Sequence, residues 1–309
     1  MTFPLVFVVL TALYSTPKLA HIALPLLGML DRGISANICE TDTATLPETS
    51  MNLDAIVDLK TYPLADQAFR QSCKDTFDQT GVLSMPGFVT PMAIDTIRKE
   101  GDVNQDKVYA KTEEHTVYLS APDPAYAKDH PRNRLVVSSK GCITDDLIPQ
   151  DSALRSLYNS EDFRSFLCEV LGEEAVYQYA DPLSSINLHF ARTGQELGWH
   201  FDNSSFAITL MVQAPEKGGQ FEYVENVRDA DAGDMNFDAV GDILDGTTPV
   251  KELIAEAGTL VFFRGRNSMH RVAPNEGERT RMLAVLAYNS EPGVSLSEEA
   301  RLTFYGRVS

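Results

Sequence analysis

Gly198-Trp199-His200-Phe201-Asp202-Asn203-Ser204 is the stretch from which the rest of the chain is best read. His200 and Asp202 stand two residues apart, and extended backbone puts such a pair on one face. That is about the spacing two ligands of one metal need. His-x-Asp alone is a weak signal in 309 residues, so its surroundings decide. A strand is predicted upstream, where Ile186, Leu188 and Phe190 alternate with polar residues. Gly198-Trp199 reads as a turn just before His200. Downstream, His270 follows a predicted strand, Thr259–Phe263, and an Arg264-Gly265 turn.

The other histidines are His21, His115, His130 and His189, and none has a carboxylate two residues on. His189 is read as an ordinary hydrogen-bonded core residue. Two imidazoles and a carboxylate on one face of an ion suit iron(II) and leave three coordination positions open. A 2-oxo acid can chelate two of them and dioxygen can take the third. Past His270 come Arg279 and Arg281, the latter opening an apolar strand read as Arg281–Tyr288. An arginine entering a strand there can grip a carboxylate bidentately. The two arginines share parity, so both are candidates for the distal carboxylate of 2-oxoglutarate, and Arg281 is preferred.

Further strands are predicted at Phe206–Val212 and, after the Gly218-Gly219 turn, at Gln220–Val224. The first half reads as helical, with helices at Ala65–Gln79, Pro91–Glu100 (capped by Thr90) and Leu154–Leu171, and a strand at Val82–Val89. Pro122 to Ser139 reads as loop. Helices followed by short strands between Gly and Pro turns suggest supporting helices packed on a β-sandwich or jelly roll. The acidic insert Glu225–Leu253 has a helix around Phe237–Leu244. Its Asp229, Asp231 and Asp234 lack the Glu that would complete a calcium loop, so the insert reads as a solvated face or lid.

Composition sets the bounds. A chain 43% hydrophobic can bury one large core. The 26 Lys+Arg against 44 Asp+Glu give a net charge of −18, which disfavours nucleic acid and anionic lipid as partners. Cys39, Cys73, Cys142 and Cys168 form no CxxC and are read as reduced thiols. Phe3–Tyr14 and Ile22–Leu30 are apolar runs with the length of a leader or weak anchor rather than a span. Residues 1–52 are therefore assigned to a leader or extension plus linker, and 53–309 to the folded domain. A cytoplasmic location is expected, with secretion or tethering through residues 1–31 left open.

The quoted heptapeptide, with Gly218-Gly219-Gln220-Phe221, Gly258–Phe263, His270-x-Val-x-Pro and the following arginine, resembles the iron(II)/2-oxoglutarate dioxygenases. More closely it resembles the BesD/HalD-type amino-acid halogenases and hydroxylases. His130-Pro131-Arg132-Asn133-Arg134, Ser139-Lys140-Gly141-Cys142 and Phe304-Tyr305-Gly306-Arg307 fit the same group. The resemblance covers about residues 53–307. It implies a double-stranded β-helix fold, iron(II) on His200, Asp202 and His270, and 2-oxoglutarate, with ascorbate as reductant in vitro. It also implies oxidation of a free amino acid by dioxygen.

Halogenases of the group carry a small residue where this chain has Asp202, so hydroxylation, desaturation or ring closure is expected here rather than chlorination. Carried over in the same way, Arg134 would bind the substrate carboxylate. Asn203 and Tyr305 would line the substrate pocket, and Asp181 would meet an amine. The alternatives are a halogenase, a non-catalytic jelly-roll binding protein, and a secreted or tethered enzyme acting on protein side chains.

Overall fold

The computed structural model describes residues 51–309; the expectations for the N-terminal apolar runs lie outside them. Eleven strands form one curled antiparallel sheet. They are β1 (Val82–Met85), β2 (Tyr109–Thr116), β3 (Leu135–Ile143), β4 (Ile186–Ala191), β5 (Leu197–His200), β6 (Ala207–Gln213), β7 (Phe221–Val224), β8 (Lys251–Leu253), β9 (Leu260–Phe263), β10 (Met269–Val272) and β11 (Arg281–Leu286). Their order is β1-β9-β6-β11-β4-β3-β5-β10-β7-β8, with β2 paired to β3. The major half, β1 to β4 in that order, and the minor half, β5 to β8, meet at β3, as in a jelly roll. Seven helices accompany them: α1 (Leu53–Ile56), α2 (Gln67–Thr80), α3 (Pro91–Val103), α4 (Ala153–Asn159), α5 (Glu161–Leu171), α6 (Phe237–Leu244) and α7 (Glu298–Tyr305). No helix among the described residues is long and apolar enough to cross a membrane.

Strand alternation builds the core. Ile186, Leu188 and Phe190 of β4 pair with Leu286, Ala284 and Met282 of β11, and all six are buried in the main apolar cluster. Phe77 of α2, Ile97 of α3 and Phe163 and Phe166 of α5 belong to the same cluster. Burying one such side chain contributes about 1.5–3 kcal/mol. Of the intervening residues, His189, Ala191, Arg281, Leu283 and Val285 line the lumen between the sheet halves. Tyr158 and Tyr288 stack at 4.3 Å and each donates to a backbone carbonyl, of Ala287 and Tyr158 respectively.

Several expected elements are redrawn by local physics. The helix expected across Leu154–Leu171 is two helices, α4 and α5. Ser160 ends the first in extended backbone and caps the second by accepting from the Phe163 amide. The strand expected to reach Val89 stops at Met85, because Pro86 offers no ladder N–H. Gly198-Trp199 is strand rather than turn. Gly198 permits it, since a Cβ there would lie 2.4 Å from the Val137 carbonyl. The ribbon of β2 and β3, in register from Tyr109↔Cys142 to Thr116↔Leu135, was read partly as loop. The insert does more than face solvent: its Val227, Val240 and Ile243 pack on Val117, Tyr118, Trp199 and Phe201.

Candidate metal centre and lumen

His200 closes β5 and His270 lies in β10, and the two are direct cross-strand partners. Such a pair brings side chains to about 5 Å, and the rings stand 4.1 Å apart. Asp202 follows β5, its amide donating to the Gly265 carbonyl at 3.0 Å. Its Oδ1 lies 3.7 Å from His200 Nε2 and 3.5 Å from His270 Nε2. Among the described residues these three form the one group of donors able to hold a metal ion, all within 4.8 Å of one another. They are nearly inaccessible, at 0%, 1% and 4% exposure.

Backbone carbonyls set the tautomers. Nδ1 of His200 donates to the Gly198 carbonyl at 2.8 Å, and Nδ1 of His270 to that of Ser268 at 3.0 Å. Each Nε2 lone pair is thereby left for an ion. Burial, reinforced by neighbouring His270, pushes the His200 imidazole well below its ordinary pKa. It therefore stays neutral, the form that ligates. His200 Nε2 and Asp202 Oδ1 are buried with no hydrogen-bond partner. Unpartnered buried polar atoms are costly, and an ion would satisfy both, so the donor set fits iron(II).

Two supports hold these three side chains. Gly265 lies against Asp202: a Cβ there would sit 1.9 Å from Oδ2 and 2.9 Å from the His270 ring. The absence of a side chain at residue 265 makes the seat for the carboxylate. On the other side, Ser138 Oγ accepts from the Gly198 amide at 2.9 Å and meets His115 Nε2 at 2.6 Å. The His115 ring stands edge-on to His200. Arg228, from the insert, stacks 4.1 Å over Phe201 between the two ligands of the heptapeptide. Burial lowers its pKa to about 10, and it remains charged.

His200, Asp202 and His270 open onto a cavity of about 500 Å³ in the lumen. Arg281 lines it from the start of β11. Arg281 is 6% exposed, and its Nε is buried without a partner. Burial lowers its pKa to about 10, so the guanidinium stays protonated at neutral pH. An anion is the natural complement to such a group.

Arg279 precedes the strand, where alternation no longer governs direction. It lies on the surface beside Glu216 at 3.5 Å, with 48% of its side chain exposed.

The residues carried over by resemblance are not brought to this cavity. Arg134 pairs with Asp245 at 2.6 Å and reaches the Leu244 carbonyl. Asp181 is buried as a local clasp, accepting from the amides of Leu183 and Leu296 and from Ser184 Oγ. Tyr305 is buried at the end of α7, its hydroxyl bonded to Asn187 Oδ1 at 3.0 Å. Asn203 follows Asp202, its carbonyl held by Arg266 at 3.0 Å.

His189, read as a satisfied core residue, instead lines the cavity with Nε2 buried and unpartnered. Its parity was the available signal, because Ile186, Leu188 and Phe190 already occupy the core face. Lys140 also lines the cavity, and burial lowers its ammonium to about 8.

A buried group of two imidazoles and a carboxylate that could hold a metal ion, in this fold, fits one class of enzyme, the iron(II)- and 2-oxoglutarate-dependent oxygenases. Within that class the chain belongs to the halogenase D family, whose model matches residues 65–302. No curated protein sequence matches it. Among solved structures it is similar to SnoN, a non-haem α-ketoglutarate-dependent epimerase from nogalamycin biosynthesis. That match has 12% identity over 72% of this chain and 81% of that one, with a TM-score of 0.51. A 2OG-Fe(II) oxygenase-family oxidoreductase from Burkholderia pseudomallei matches at 13% identity, over 74% and 95% of the two chains, with a TM-score of 0.46. A prolyl-4-hydroxylase from Pseudomonas putida matches at 13%, over 70% and 96%, with a TM-score of 0.44.

Proposed function

We propose that the chain hydroxylates an unactivated C–H bond of a free amino acid, and that it is not a halogenase. One observation carries the reading: a carboxylate, Asp202, occupies the third ligand position, on a seat that only glycine at residue 265 allows. A halide would need that position vacated. In this reading His200, Asp202 and His270 hold the iron on one face, and Arg281 holds the distal carboxylate of 2-oxoglutarate. Iron(II), 2-oxoglutarate and dioxygen together supply an oxidant able to break a C–H bond, with succinate and carbon dioxide as by-products. The protein contributes orientation and a dry lumen: Met211, Leu283, Val285 and Phe263 line it with apolar surface.

The amino-acid substrate is drawn from the family resemblance, and apolar Val285 and Ala287 on the cavity wall favour a substrate without a long polar chain. The test is a mass-spectrometric screen of free amino acids with iron(II), ascorbate, 2-oxoglutarate and chloride. The expected product gains one oxygen, or loses two hydrogens if the outcome is desaturation or ring closure. A chlorinated product from the wild-type chain would overturn the assignment of Asp202. Absence of iron-dependent succinate with every amino acid would favour a binding protein, and turnover only on peptides would favour a protein-modifying enzyme.

A further inference from the structure

His200 and His270 are partners on one rung, but their strands are anchored differently. β10 runs between two neighbours. It pairs with β7 from Met269↔Val224 to Val272↔Phe221 and with β5 on its other side. β5 pairs with β10 at His200 and Leu197, with a register shift between them, and with β3 at Leu197↔Ser138. Along that β3 seam, serine hydroxyls stand in for ladder carbonyls. The Gly198 amide donates to Ser138 Oγ at 2.9 Å, and the Glu196 amide to Ser139 Oγ at 3.2 Å. Gly198 lies so close to β3 that a Cβ would sit 2.4 Å from the Val137 carbonyl. Glycine is required there, and glycine has the backbone that turns most freely. Its carbonyl is the one that accepts from His200 Nδ1 at 2.8 Å. The residue that sets the His200 tautomer therefore needs an outside hold.

That hold has a direction. His115 Nδ1 lies 3.0 Å from the Thr116 carbonyl, which can only accept, so Nδ1 carries a hydrogen. In the neutral ring Nε2 is then an acceptor, and at 2.6 Å from Ser138 Oγ it takes the hydroxyl hydrogen. The Ser138 lone pairs are left for the Gly198 N–H. Ser138 is fully buried and His115 is 5% exposed, where such bonds act in a low dielectric. We infer that Ser138, oriented by His115, is a positioning residue for His200: it pins the Gly198 backbone so that the His200 ring keeps Nε2 turned to the metal position. The inference rests on the reading of His200 as an iron ligand. The bonds to Ser138 and His200 are made by the two peptide units that flank the Gly198 Cα, so the coupling is positional and fixes the two dihedrals of one residue. His270 does without such a device because ladders hold its strand on both sides.

The test uses the full chain, anaerobically, with iron(II) or cobalt(II) as the added metal and no co-substrate. Affinity is read by competition against a chelator, and the visible spectrum of bound cobalt(II) reports the geometry of its ligands. Ser138→Ala is expected to weaken iron(II) binding about tenfold or more and to shift the cobalt(II) spectrum. His115→Phe, which keeps an aromatic ring but no acceptor, should do the same to a lesser degree, and it carries the test if Ser138→Ala fails to fold. His115→Gln, which keeps an acceptor, should recover part of the loss. Ser139→Ala removes the sister bond at the same seam and is expected to leave affinity and spectrum as in wild type. Equal effects of Ser138→Ala and Ser139→Ala would reduce Ser138 to a seam contact and overturn the inference. So would a lower melting temperature in Ser138→Ala with affinity and spectrum unchanged. If His200→Ala abolishes iron binding while the Ser138 and His115 variants bind as wild type, the inference falls and the reading of His200 stands. If His200→Ala binds iron like wild type, both fall.

Discussion

β4 and β11 present two faces built from alternating positions of the same two strands. On one, Ile186, Leu188, Phe190, Met282, Ala284 and Leu286 are buried against helices. On the other, His189, Ala191, Arg281, Leu283 and Val285 line the lumen. The first face is uniformly apolar and holds the domain together. The second carries charge, an imidazole with an unpartnered nitrogen and a bare methyl, which a protein evolved only for stability would have filled with hydrocarbon. Strand parity thus separates what the sheet does for stability from what it does for chemistry, one residue at a time.

That division can be broken from either side. The largest effect is expected from Phe190→Ala on the helix-facing side. Truncating so buried an aromatic should cost about 3–5 kcal/mol, read as a lower denaturation midpoint, while the iron affinity of the folded fraction stays near wild type. Gly265→Ala should do the reverse. Its new methyl collides with Asp202, so iron affinity should fall on the order of 10–100-fold, by metal titration, with a much smaller change in melting temperature.

Taken per histidine and per pH unit, the smallest effect is expected from pH. Burial is the first cause that lowers the pKa values of His115, His189 and His200. The unfolded chain then binds protons below about pH 6.5 that the native metal-free protein refuses. Stability should therefore fall as pH drops through that value toward the folded pKa values, by at most about 1.4 kcal/mol per pH unit for each histidine. Melting curves of the metal-free chain from neutral to mildly acid pH should show this slope, reduced in His189→Phe. A flat profile would mean that these imidazoles take up protons in the folded state.

Legibility in the sequence followed the same division. Helix-facing residues announced themselves by regular alternation or helical spacing, and α6 was expected over the residues it occupies. The jelly-roll class followed from the run of short strands. That His200, Asp202 and His270 come together was legible because their chemistry is uncommon and their spacing is informative. Less legible was whatever depends on neighbours distant in the chain. β2 is rich in charged and polar residues and becomes a strand by pairing with β3. Ser160 divides what looks like one helix. Arg279 and Arg281 cannot be ranked by parity when the strand begins between them.

The cross-strand pairing of His200 with His270 has a mechanical consequence. β5 and β10 are short, and their register shifts just beyond the pair, so few ladder bonds fix their alignment. An ion shared by the two imidazoles, as the proposed function has it, would staple the strands at that rung. Because binding to the native state alone stabilises it by mass action, iron held there would double as a structural clasp for the minor half of the sheet. Occupancy of the proposed reactive centre and alignment of that edge would then be a single equilibrium.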